Sequence, residues 1–80
     1  MATLIKSDGT EAPNVDVSTL KHQQDMVGGY IEYVYFPHNR LAIVNEEGRL
    51  KGLPYNEVAS VIAGVHLVGD VIIVDVNELN

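Results

Sequence analysis

Val71-Ile72-Ile73-Val74-Asp75-Val76 is the segment that most restricts what this chain can become. It is rich in β-branched residues, shorter than an ordinary helix, and apolar without alternation. Such a run reads as a strand buried on both faces, or as one that meets a second subunit. The remainder of an 80-residue chain has to supply that cover. A chain of this size buries only about 60% of its unfolded surface. With no Cys there is no disulfide or thiolate staple, so a second copy is the expected supplement. An apolar share of 46% argues against disorder, and the length allows a single domain over residues 1–80.

The rest of the sequence divides into short elements. Thr3-Leu4-Ile5 reads as a strand that turns at Asp8-Gly9 into a partner over residues 11–17, made irregular by Pro13 and Asn14. Ser18 is the expected N-cap of a helix over residues 19–27, with Leu20, Gln23 or Gln24, and Val27 on one side and Gly28-Gly29 ending it. Tyr30 to Phe36, aromatic and β-branched, forms a hairpin with Leu41 to Asn45. Glu46-Glu47-Gly48 turns into a minimal strand at Arg49-Leu50-Lys51. A second helix over residues 55–63 carries Val58, Val61 and Ile62 as its apolar stripe, with Gly64 as C′ residue. The expected fold is α+β, a small mostly antiparallel sheet in the order β-β-α-β-β-(β)-α-β, with two short helices on one face. The other face calls for a homo-oligomeric partner.

Eleven acids against five bases give a net charge of −6, which excludes duplex nucleic acid as a partner because phosphate contacts need a basic surface. A smaller anion is compatible. Arg40, Arg49, Lys51 and His38 fall within residues 38–51. No secretory signal or lipidation motif is visible, and the longest apolar stretch is too interrupted to span a membrane.

No catalytic set stands out. His22, His38 and His66 lack metal-ligand spacing, and His66, between Val65 and Leu67, reads as a partly buried hydrogen-bonded histidine. Ser7, Ser18 and Ser60 read as turn, cap and helix surface. Glu46 and Glu47 are adjacent and point apart. Gly28-Gly29-Tyr30 follows a helix, the reverse of a phosphate-binding glycine loop. The expectation is therefore a non-enzyme with neither metal nor cofactor. What remains is an aromatic and basic neighbourhood: Tyr33, Tyr35, His38, Arg40, Arg49, Lys51 and Tyr55, with Asn56 at the start of the second helix. Flat rings stack on nucleobases and guanidinium forks grip phosphate, so a small anionic nucleotide is the expected ligand. The plainer reading gives the aromatics to packing, the bases to solubility and Asn56 to an N-cap.

The segments Gly28-Gly29-Tyr30-Ile31-Glu32 and Asn45-Glu46-Glu47-Gly48 through Leu53-Pro54-Tyr55-Asn56, with the opening Ala2 to Thr10 and Val68-Gly69-Asp70-Val71, resemble a family of small bacteriophage and mobile-element proteins that is described as a domain of unknown function. The resemblance transfers no functional residue. It implies a phage product in the host bacterial cytoplasm, and by analogy a homo-oligomer that sequesters a nucleotide immune signal of the cyclic dinucleotide or cyclic ADP-ribose type. The alternative is an acidic module that inhibits a host protein, by nucleic-acid mimicry or otherwise.

Overall fold

The apolar run becomes the middle of the sheet. A computed structural model describes residues 2–79. Its elements are β1 (Thr3–Ile5), β2 (Glu11–Pro13), α1 (Leu20–Val27), β3 (Ile31–Phe36), β4 (Arg40–Asn45), α2 (Glu57–Ala63) and β5 (Val71–Asp75), followed by a 3-10 helix over Val76–Leu79. The strands form one five-stranded antiparallel sheet in the order β2-β1-β5-β4-β3. The fold is α+β.

Because side chains alternate along a strand, β5 feeds two cores at once. Ile72 and Val74 join Leu4, Leu41, Ile43 and Val27 of α1 in one apolar cluster. Val71 and Ile73 join Ile5, Ala42, Val44 and Ala59 and Ala63 of α2 in the other. The helices therefore lie on opposite faces of the sheet, which corrects the expectation that both share one. One consequence is that β5 is covered above and below within a single chain, so its apolarity needs no second subunit.

Local corrections have local causes. The N-cap of α1 is Thr19, whose hydroxyl accepts from the His22 amide, while Ser18 N–H donates to the Asp16 carboxylate in an Asx-type turn. Gly28 closes α1 at φ 83°, a left-handed conformation that glycine adopts without cost to a side chain. β2 stops at Pro13, since Asn14 turns to φ 59°. Residues 46–52 are a series of turns, not a strand at 49–51: Lys51 N–H donates to Glu47 and Leu53 N–H to Gly48, which coils the segment on itself. The buried face of α2 is Ala59, Ser60 and Ala63. Of the expected stripe, Val58 packs against that core, whereas Val61, 75% exposed, and Ile62 turn outward. Ser60 is buried, with its hydroxyl bonded to both the amide and the carbonyl of Leu67.

Candidate functional site

Strand alternation divides the aromatic and basic residues between two surfaces. Tyr33 and Tyr35 pair with Ile43 and Leu41, so they stand on the α1 face, where the rings meet edge-on at 6.5 Å and the Tyr33 hydroxyl donates to Gln23. Phe36 and Arg40 stand on the α2 face, with the guanidinium 4.8 Å from the Phe36 ring centroid. His38 occupies the exposed hairpin tip at φ 71°. Lys51 turns toward Glu47 and the Gly28-Gly29-Tyr30 junction, lining a separate hollow with Gln24 and Asp25. Asn56 is fully buried: it caps α2 by accepting from the Ala59 amide, and it donates to the carbonyls of Ile5 and Gly69 at 2.8 Å each. Both of its side-chain N–H groups are taken, and its full burial puts it out of a ligand's reach.

Arg49 and Tyr55 come together, and a residue outside the expected set joins them. Tyr55 forms an antiparallel bridge with Val68, continued by hydrogen bonds from Asn56 N–H to Leu67 and from Gly69 N–H to Pro54. That short ladder carries His66 back to Tyr55, where the two rings stack at 4.7 Å with an interplanar angle of 25°. Arg49 Nη2 donates to the His66 carbonyl at 3.3 Å. His66 is exposed, in contrast to the partly buried histidine expected from its apolar neighbours. Nothing in its local sequence announces the role, because the contact depends on pairing across α2.

Between this cluster and the sheet runs a cleft of about 380 Å³. Val34, Val44, Leu67 and Val68 supply apolar walls, and Arg49, His66, Glu32 and Glu46 supply polar groups. Its shape rests on Asn45 and Gly48. The Asn45 side chain donates to the Val27 carbonyl and accepts from the Glu47 amide, tying the end of α1 to the turns that hold Arg49. At Gly48 a Cβ would come within 2.9 Å of Val68 and 3.3 Å of the Asn45 carbonyl, so glycine lets those turns close against the cleft wall. Arg40 lies beyond reach. The Phe36–Arg40 pair is four ladder steps from Glu32–Val44, roughly 13 Å at about 3.3 Å per residue.

The cleft offers one guanidinium, two carboxylates, a ring platform at its rim and apolar walls. Among the described residues no cluster of His, Asp and Glu is arranged to hold a metal ion, and no helix is long and apolar enough to cross a membrane. A model of a domain of unknown function, DUF3846, matches residues 1–79. The chain belongs to the DUF3846 family. That membership agrees with the resemblance carried by the glycine-tyrosine and Leu-Pro-Tyr-Asn segments in placing the chain among domains of unknown function. No curated protein and no solved structure matches it.

Proposed function

We propose that this protein is a non-enzymatic binding module that holds a small nucleotide in the cleft beside Arg49 and His66. The observation that carries the reading is the joining of the Tyr55–His66 stack to Arg49 at the mouth of an apolar-walled hollow. Rings of this kind take a base face, and an Arg fork takes a phosphate. One of the guanidinium's five N–H groups goes to His66, leaving the others for a ligand. Glu32 and Glu46 narrow the class of ligand. Two carboxylates against one Arg repel a polyphosphate, but they accept well from the amino and imino donors of a purine edge or from ribose hydroxyls. A cyclic nucleotide, with a single charge per phosphodiester, meets both conditions. At about 380 Å³ the hollow is within the range of small-molecule sites, about 300–1,000 Å³.

Sequestration follows as the use of such a site. In the setting that the resemblance implies, a phage product inside a bacterium, the ligand is a host immune signal and binding lowers its free concentration. The site therefore contracts from the hairpin set to Arg49, His66 and Tyr55 with Glu32 and Glu46, and the aromatic pair Tyr33–Tyr35 is left for another purpose.

Calorimetric titration with a panel of cyclic mono- and dinucleotides tests the reading. Arg49→Glu should weaken binding at least about ten- to hundredfold, the worth of one charge-assisted hydrogen bond of about 1.5–3 kcal/mol. Arg40→Gln, at the far end of the hairpin, should bind as the unmodified protein does. Ligand released by heat denaturation should be recovered intact. Full affinity in a folded Arg49→Glu variant overturns the site, and recovery of cleaved nucleotide overturns sequestration.

A further inference from the structure

The sheet has two edges, and only one is guarded. β2 has three residues, carries Glu11 and ends at Pro13, which has no N–H to offer; short, charged, proline-bearing edges discourage pairing. β3 has six residues, Ile31-Glu32-Tyr33-Val34-Tyr35-Phe36, with one charge and no Pro. Its backbone directions follow from the ladder. Glu46 N–H donates to the Tyr30 carbonyl at 2.8 Å, and the β3–β4 register continues that pairing through Glu32–Val44, Val34–Ala42 and Phe36–Arg40. Hydrogen-bonded pairs alternate in an antiparallel ladder. Ile31, Tyr33 and Tyr35 therefore aim their N–H and C=O groups away from β4, and among the described residues β3 has no other strand beside it.

We infer that β3 pairs antiparallel with β3 of a second copy, about a two-fold axis at Tyr33, joining the two five-stranded sheets into one. The ladder parity and the residues that flank Tyr33 select this register. Placing Tyr33 opposite Tyr33 of the second copy sets Ile31 against its Tyr35, so each outward N–H and C=O on β3 meets its complement. A shift of two residues one way sets Glu32 against Glu32 and a like-charge pair in direct opposition. A shift the other way sets Ile31 against Pro37, which cannot donate. In the Tyr33-centred register Glu32 faces Val34 of the second copy, and the α1 face gains aromatic and β-branched cross-strand pairs. That face already holds Tyr33 and Tyr35 exposed, and among the described residues the Tyr35 hydroxyl has no hydrogen-bond partner. Large exposed rings on an open edge are what a pairing strand has to bury. Glu32 and Val34 also wall the cleft, so Val34 of the second copy would border the same hollow. The pairing itself needs no ligand and stands independently of the nucleotide reading.

Sedimentation equilibrium at micromolar concentration should give a dimer for the unmodified protein. Tyr35→Pro removes an outward N–H while leaving every β3–β4 bond in place, and should give a folded monomer by circular dichroism. The register is tested by charge. Tyr33→Lys and Tyr33→Glu should each weaken self-association by about tenfold or more, since like charges then oppose across the axis, and an equimolar mixture should restore the dimer. A monomeric unmodified protein overturns the inference, as does a Tyr35→Pro variant that remains dimeric. Two Tyr33 variants that dimerise as well alone as together overturn the register.

Discussion

Asn56 shows how one side chain can resemble a ligand-binding group and be wholly structural. It has 0% exposure and joins β1, α2 and the loop before β5 through three hydrogen bonds. Asn56→Ala would remove the bonds to the Ile5 and Gly69 carbonyls and to the Ala59 amide at once. The expected loss is about 2–4 kcal/mol, combining an N-cap with buried hydrogen bonds, and urea denaturation measures it. That is a large share of the roughly 4–12 kcal/mol typical of an 80-residue domain. Asp8 and Asp16 provide a second residue-scale test. Hydrogen bonds from Thr10 hold the Asp8 carboxyl below its ordinary 3.8, and bonds from Ser18, with His22 nearby, do the same for Asp16. A carboxylate with a depressed folded pKa adds stability above its unfolded pKa and loses it as pH falls through the folded value. The melting temperature should therefore decline on acidification below about pH 4, and the double variant Asp8→Asn/Asp16→Asn should flatten that decline. Both carboxylates are exposed, so the effect is small.

Helix α2 shows what periodicity can and cannot decide. Val58, Val61 and Ile62 recur at helical spacing and announce a helix over this segment, and the helix forms. The face it presents to the sheet is instead Ala59, Ser60 and Ala63, since small side chains let the helix axis approach Ala42 and Ile73. Apolar spacing ranks residues by transfer energy, whereas a helix laid on a sheet is also chosen by volume. Ala59→Leu should accordingly cost about 1–3 kcal/mol through overpacking, while Val61→Ser stays within about 0.5 kcal/mol, both read from thermal melts. The central strand, the β3–β4 hairpin and both helices were legible because each rests on local signals: β-branching, an aromatic run, a cap and a left-handed glycine. The division of the aromatic set was within reach of the sequence but not drawn from it: period-two alternation separates Tyr33 and Tyr35 from Phe36, whereas the expectation grouped the hairpin's rings and bases as one neighbourhood. What local signals lack is the Tyr55–Val68 bridge, and with it the His66 contact. It depends on residues on either side of α2 meeting in space.

At the scale of the molecule, a sheet covered by one helix on each face explains how 80 residues without a staple bury a strand as apolar as β5. The same arrangement leaves two surfaces unused by the core, the β3 edge and the cleft behind Arg49, and they share Glu32 and Val34. In the proposed function the cleft, not the hairpin tip, takes the ligand. Amide resonances of an isotope-labelled sample, followed during titration with a cyclic nucleotide, test it most directly. Shifts should concentrate at Arg49, Leu50, His66, Leu67 and Glu32. Shifts confined to His38 through Arg40 or to Tyr33 and Tyr35, or an unmoved spectrum across the nucleotide panel, would contradict it.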